Sequence, residues 1–423
     1  MKVAILTTFQ EFIPGYSLTG IVKDQAEMLA KYEHEVHLFV STKYHGEEFS
    51  DDVTLRKEII WTEQKDYRSI NDITPEHKQL IQDQALRLEE LLVDFDIVFT
   101  HDFIFIGWFI PFGEACKRVS RKLPKLKWLH WIHSIPTGGR DYWDIRSYGP
   151  NHKIVYPNQT DRIIVAEAFR GVIDDVRTIP HIKDIRNYFR FSDETKELID
   201  KYPGLIQADV VQILPASVDR LSAKRVEEVM RIFGEIKAQG RTVFLLIANQ
   251  WATEKQQKQD VDKFRNAGVM HGLIDQQDFA FTSDFQSPKY DVGIPQRMIQ
   301  ELFLCSNLFV FPTREETFGL VVPEAGLSGV LMMLNRSLHM QIEVGGGAEN
   351  ALYFDFGSYT HEVNITNPKK YYRDLAFIIL GRINQNESLM AKTFHRQTYN
   401  MDNLYRKYYL PTMSEAMAGE RVQ

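Results

Sequence analysis

The chain has 423 residues, 44% of them hydrophobic and 25% charged, a composition that excludes a mostly disordered protein. Single cores stop growing near ~250–300 residues, so two domains of about 200 residues each are expected. The 50 Lys and Arg against 57 Asp and Glu leave a formal charge of −7, which excludes a surface coated in basic residues but not a local basic patch. The two cysteines, Cys116 and Cys305, lie far apart and outside any C-x-x-C pattern. That excludes a disulfide framework and a Cys-based zinc site, and fits a reducing compartment.

In chain order, the first apolar run, VAIL at 3–6, is far too short for a secretory signal and reads as a strand. Further strand-like runs are EVHLFV at 35–40, DIVFT at 96–100, KWLHWIH at 127–133 and DRIIVAE at 161–167. Helical patterns lie between them at 21–32 and 76–92. Several strands are apolar on consecutive residues, as parallel strands covered on both faces are. The longest apolar stretch, FIFIGWFIPF at 103–112, is half of what a membrane-spanning helix needs. A soluble, cytoplasmic protein, at most peripheral to a membrane, is the expectation.

The βα alternation lapses across 178–208, a stretch containing proline and many charges. It resumes with runs at 209–217, 242–249, 278–283, 307–312, 330–334 and 351–356. Two successive α/β domains follow, with residues 1–185 the first, 186–208 a linker and 209–388 the second. A ligand is expected at the carboxyl ends of the strands, in a cleft between them.

The sharpest motif is REETFGLVVPEAG at 314–326, directly after the strand-like NLFVFP. Glu316 and Glu324 stand eight apart, with Phe318, Gly319 and Leu320 between them and Pro323 placed for the first turn of a helix. One carboxylate on a strand-to-helix loop can accept bonds from sugar hydroxyls, and one on the helix can take both hydroxyls of a ribose. Gly319 lets the backbone approach a ligand closely. A solvated loop followed by an ordinary helix-start glutamate is the competing interpretation.

These residues resemble the Glu-x7-Glu element of the retaining family-4 glycosyltransferases of the GT-B fold. It reads E-T-F-G-L-V-V-P-E-A here, with Thr317 where the family has glycine. The resemblance implies a GT-B architecture, two doubly wound Rossmann-like domains facing across a cleft. It also implies that segment 389–423 returns to the first domain as a helix. Donor-diphosphate cations at the head of the second domain would be Arg220 and Lys224 in LPASVDRLSAKRVEEV. The spacing is one residue shorter than the family's, so Arg225 competes with Lys224. Fixed cations of this kind stabilise a departing diphosphate without a metal.

In the first domain the loop FIPGYSLTGIVKD offers Gly15 and Gly20 on the phosphate side, with Thr19 as a helix cap. A G-x-G-x-x-G fingerprint is missing there, which weighs against an NAD site. His133 matches the family's histidine beside the donor sugar, and His101 and Asp102 are acceptor-side candidates. His130 and His133, three apart on a strand, point to opposite faces and cannot share a metal. A basic run of Lys117, Arg118, Arg121, Lys122 and Lys125 could meet phosphates or an anionic surface, or merely complement a helix C-terminus.

The implied activity is retaining, metal-independent and cofactor-free transfer of a hexose from a nucleoside diphosphate sugar, UDP-glucose as the commonest donor. Segment 180–199 resembles glycosyltransferases of tailed bacteriophages, which makes hydroxymethylated DNA one acceptor beside glycan, lipid or protein. A non-catalytic nucleotide-sugar-binding protein is the alternative.

Overall fold

The structure is a computed structural model and describes every residue except 14, 47–48, 61–66, 68, 105–109, 135–142 and 419–423. The chain forms two compact units, Met1–Lys183 with Met401–Gln423, and Asp184–Asn400.

The first unit is built on seven parallel strands, β1 (Lys2–Leu6), β2 (Glu35–Ser41), β3 (Val53–Ile59), β4 (Ile97–His101), β5 (Lys127–Trp131), β6 (His152–Tyr156) and β7 (Val176–Thr178). Their order is β3-β2-β1-β4-β5-β6-β7, the doubly wound arrangement that reverses beside β1. β1, β2, β4 and β5 bury consecutive residues because helices cover both faces. One face packs Val3, Ile5, Leu38, Phe99 and Trp131 against the helix Ser17–Lys31 and the returning residues Leu404, Tyr409 and Met413. The other face packs Ala4, Val98 and Trp128 against the helices Pro75–Leu92 and Ile110–Lys122. Thr74 and His77 close a reciprocal capping box at the start of the former helix.

DRIIVAE, expected as a strand, is the helix Arg162–Ala168. Asp161 N donates to Asn158 Oδ1 at 2.9 Å, and that turn launches the helix. Ile163 and Ile164 are left exposed while Val165 and Ala166 are buried, so one buried stripe, not a β-branched run, decides the element. The strand before this helix is β6, which its polar start HKIVY concealed.

The second unit carries β8 (Val210–Ser217), β9 (Val243–Gln250) and β10 (Phe279–Phe281) in order β10-β9-β8, and β11 (Leu308–Phe311), β12 (Leu331–Asn335) and β13 (Ala351–Phe354) in sequence order. Side-chain amides join the two trios. Fully buried Gln212 on β8 donates to Val310 O at 2.9 Å and accepts from Val310 N at 2.8 Å. Asn307 Oδ1 accepts from Val211 N at 2.9 Å. The succession β10-β9-β8-β11-β12-β13 is again of Rossmann type, with a glutamine standing in for part of the ladder. Gln212→Leu would strand the Val310 N–H and C=O in the core. Each unpaired buried group costs about 1–3 kcal/mol, so denaturant unfolding is expected to show a loss of at least about 2 kcal/mol.

The stretch 186–208, expected as a linker, is part of this second unit. It forms short helices Ile185–Tyr188, Asp193–Lys201 and Gly204–Gln207. Phe191, Leu198, Tyr202 and Leu205 pack on Val211, Ile213 and Phe244. Its charges are used internally: Arg186 pairs with Asp184 and with Asp200, each at 2.7 Å. The segment 389–423 likewise divides. Residues up to Asn400 stay with the second unit, where Arg396, on the helix Glu387–Thr398, donates to Leu205 O at 3.1 Å and Ala208 O at 2.7 Å. The part from Met401 belongs to the first unit.

Candidate functional site

In the second unit the loops that leave β8, β11 and β12 are tied together by hydrogen bonds. Arg314 N donates to Ala223 O at 2.8 Å, and Thr313 Oγ1 donates to Glu315 O at 2.8 Å. Asn335, buried at the end of β12, donates through Nδ2 to Thr313 O at 2.9 Å and to Gly357 O at 2.8 Å. This frame sets opposite charges side by side. Arg220 meets Glu315 at 2.9 Å. Lys224 is in a short ion pair with Glu316, at 13% and 17% side-chain exposure, and its ammonium lies 4.9 Å from the centre of the Phe311 ring.

The backbone sends Lys224 and Arg225 to different partners. Arg225 has φ +54° and stands as the N-cap of the helix Val226–Ala238. Its guanidinium turns to Glu228 at 3.4 Å. Lys224 alone of the two reaches Glu316. Among the described residues the Nε atoms of Arg220 and Arg225 are buried without partners, donors that an anion would satisfy.

Gly319 has φ +72°, and a Cβ there would sit 3.0 Å from Glu316 Cγ; the glycine both permits the turn and leaves room for the Glu316 side chain. Phe318 and Leu320 are 51% and 72% exposed, unusual for apolar residues with nothing to cover them. Glu324 lies in the first turn of Val321–Leu327, as does Pro323. Among the described residues its carboxylate has no hydrogen-bonding or ionic partner, and burial alone pushes its pKa up. A desolvated carboxylate without a partner is poised to accept hydroxyl donors.

The first unit gathers a second group. Gly15 has φ +83° with nothing beside it, and Gly20 is on the exposed side of the helix with open space above. Thr19 does not cap this helix: Tyr16 is the N-cap. Thr19 Oγ1 instead donates to Tyr16 O at 2.7 Å and Ile13 O at 3.2 Å, fastening the glycine loop to the first turn. At the ends of β4 and β5, His101 Nδ1 and His133 Nε2 are 2.9 Å apart with rings stacked. Gln25 Oε1 lies 2.7 Å from His101 Nε2, and Gln25 Nε2 donates to Tyr409 Oη at 2.9 Å.

Burial, with the neighbouring histidines, pushes the His101 pKa well below its ordinary value. Burial and His181 lower that of His133 to about 3. Asp102, in a left-handed backbone (φ +43°), is raised by burial to about 6, opposed by a backbone bond from His133. Among the described residues Asp102 Oδ1 and His133 Nδ1 are both buried without partners.

Within the second unit Lys224 and Glu316 are in contact across the tied loops, Arg220 reaches the neighbouring Glu315, and Gly319 stands against the Glu316 side chain. Within the first, His101 and His133 touch, whereas Gly15 and Gly20 have nothing within 4 Å of their would-be Cβ atoms. Glu315, Asn335, Gln25, Tyr409 and His181 were not anticipated. Only the adjacency of Glu315 to Glu316 was a local signal; the others meet through chain separations such as the 384 residues between Gln25 and Tyr409. His130, on the opposite face from His133, bonds to Thr100 and His152 at 2.9 Å each, a buried structural chain.

The basic run is thinner than its sequence. Lys117 bonds to Glu114 at 2.7 Å and lies over the Tyr148 ring. Arg118, Arg121, Lys122 and Lys125 remain exposed. Among the described residues no helix is long and apolar enough to cross a membrane, and no cluster of three or more His, Cys, Asp or Glu could hold a metal ion. A cavity of about 760 Å³ in the first unit is lined by Lys127, Lys153, Arg177 and Glu415 among others, at the starting ends of β5 and β6, and takes in none of the expected site residues.

No family model matches the chain, and no curated protein matches it. Similar solved structures include a glycosyltransferase from Rickettsia africae ESF-5 (15% identity, 100% of each chain covered, TM-score 0.39). Anabaena HepE in complex with UDP is similar at 13% identity over 98% of this chain and 100% of that one, TM-score 0.34. A UDP-forming alpha,alpha-trehalose-phosphate synthase from Burkholderia vietnamiensis is similar at 12% identity over 100% and 99%, TM-score 0.33. The present chain's own strand order, two Rossmann-type units in succession, is that expected of a GT-B fold.

Proposed function

We propose that this protein is a glycosyltransferase that moves a hexose, with retention, from a nucleoside diphosphate sugar to a hydroxyl acceptor, using neither a resident cofactor nor a metal. The observation that carries the reading is the charge cluster on the tied loops after β8 and β11, Lys224 with Glu316 and Arg220 with Glu315. In the transfer the bond from the sugar's anomeric carbon to the diphosphate oxygen breaks. A bond to the acceptor oxygen forms on the same face, and the acceptor's proton leaves with the products. Negative charge grows on the diphosphate, and Arg220 and Lys224 are the cations that meet it. Glu316 takes hydroxyls of the transferred sugar, Glu324 the two ribose hydroxyls, and Phe318, Gly319 and Leu320 present the loop surface between them. In the first unit Gly15 and Gly20 leave open backbone for the donor's phosphate side, His133 lines the sugar, and His101 and Asp102 serve the acceptor side.

UDP-glucose is the proposed donor. A panel of UDP, GDP, ADP and TDP, their sugar conjugates and NAD, read by thermal shift, tests it. A ligand at about 100 times its Kd adds about 2.7 kcal/mol. At roughly 2–4 °C per kcal/mol for a unit of this size, the midpoint should rise by roughly 5–11 °C with one base. NAD should give no shift. Failure of every diphosphate would overturn the donor site and favour a protein without turnover.

A hydroxymethylated phage DNA acceptor would meet the exposed Arg118, Arg121, Lys122 and Lys125. Replacing Arg118, Arg121 and Lys122 by alanine should then weaken DNA binding and flatten its salt dependence by up to about three phosphate contacts. Unchanged binding would leave glycan, lipid or protein acceptors.

A further inference from the structure

Four polar side chains in the first unit are ordered in one direction and end, among the described residues, on a buried lone pair without a partner. Gln25 is fully buried on the helix Ser17–Lys31, and Tyr409 is buried in the returning C-terminal segment. Because Gln25 Nε2 donates to Tyr409 Oη at 2.9 Å, its Oε1 is the atom that accepts His101 Nε2–H at 2.7 Å. A neutral imidazole that donates at Nε2 accepts at Nδ1. His101 Nδ1 therefore takes the proton of His133 Nε2 at 2.9 Å. What is left is His133 Nδ1, unprotonated, buried and, among the described residues, without a partner.

Filling space would require none of this. A leucine or methionine at position 25 would pack against Val22 and Ala26 without a buried amide to satisfy. The groups facing the two imidazoles are consistent with neutral rings: Trp131 stacks on His101 at 5.2 Å and His181 on His133 at 5.1 Å. The one carboxyl nearby, Asp102, meets the backbone of His133.

We propose that Gln25 and Tyr409 are positioning residues for His133: they fix its proton on Nε2, so that Nδ1 meets the substrate as a hydrogen-bond acceptor. Such an atom selects a hydroxyl and rejects a phosphate or carboxylate oxygen, which would need a donor. The inference rests on the reading of His133 as a substrate-side residue and specifies which atom of it acts, and on what.

Histidine ¹⁵N spectra of the full chain test it without reference to activity. His133 and His101 should each show a protonated Nε2 and a bare Nδ1 at neutral pH. Gln25→Met, which keeps the bulk and removes both amide bonds, should mix the two tautomers at both rings. It should also lower kcat about tenfold with the donor KM unchanged, the size of loss seen when outer partners of an oriented imidazole are removed. Tyr409→Phe, which keeps the ring on Trp131 and deletes one hydroxyl, is the milder variant should Gln25→Met fail to fold. It should mix the tautomers partially. A parent His133 protonated on Nδ1, or tautomers unmoved in the folded variants, would overturn the relay. Mixed tautomers with unchanged transfer would uphold the relay and overturn the assignment of His133 to the substrate.

Discussion

Glu316→Ala is expected to lower kcat for sugar transfer by roughly 10²–10³-fold, the scale of removing one group aimed at a transition state. The same change breaks the ion pair with Lys224, whose side chain is only 13% exposed. An unpaired, largely buried polar group costs about 1–3 kcal/mol, so some loss of stability accompanies the loss of rate. The two effects separate in the double variant Lys224→Met with Glu316→Ala, which leaves neither charge stranded. Stability should recover in part, because contacting residues couple by about 0.5–3 kcal/mol, while transfer stays lost. Initial rates at saturating donor, with urea unfolding of the parent and both variants, decide the matter. A Glu316→Ala protein with full kcat would end the proposed role.

Glu324→Gln is expected to weaken nucleoside diphosphate binding by about 10–150-fold, since hydrogen bonds to a charged group contribute about 1.5–3 kcal/mol. Its effect on the ligand-free protein should run the other way. Burial raises the carboxyl's pKa in the folded state, so between the unfolded and folded values the native state holds more protons than the unfolded one. Stability from this group is therefore full at acidic pH and falls as pH rises through that window. At neutral pH the ionised Glu324 is a burden that glutamine removes, and the melting midpoint should not drop. A residue retained against stability is what a binding role predicts. For the same reason donor affinity should weaken on acidification sooner than an ordinary glutamate would cause. Calorimetric titration with the preferred diphosphate from pH 7 down to pH 5, on the parent and on Glu324→Gln, checks both claims. Parent-like affinity in the variant would remove Glu324 from the site.

The two glutamates were legible because a local pattern carried them: a strand, a glycine turn and a helix start lie within the thirteen residues 314–326, and short-range geometry places their side chains. Most strands were legible for a similar reason. β1, β2, β4 and β8 to β12 bury consecutive residues and show it as apolar runs. Where that signal was mixed, the reading failed. The branched residues of DRIIVAE suggest a strand, yet two of them face solvent, and only the turn at Asn158 and the packing of Val165 make it a helix. The stretch 186–208 was taken for a linker because charge suggests solvent. Ion pairs such as Arg186 with Asp184 and Asp200 neutralise that charge on a packed surface.

By itself, then, the sequence determined the alternation of strands and helices, the two α/β units, and which loop of the second unit carries the carboxylates. Each of those properties follows from periodicity and turn chemistry within some twenty residues of chain. The tertiary structure decided what those loops touch. It gave Lys224 and Arg225 different partners, Glu316 for the former and Glu228 for the latter, whose backbone is left-handed. It set Gln212 between two half-sheets and laid Tyr409 against Gln25. Partners nearly a hundred to four hundred positions apart are brought together only when the core closes, because burial of their apolar neighbours, and not any local preference, holds them there.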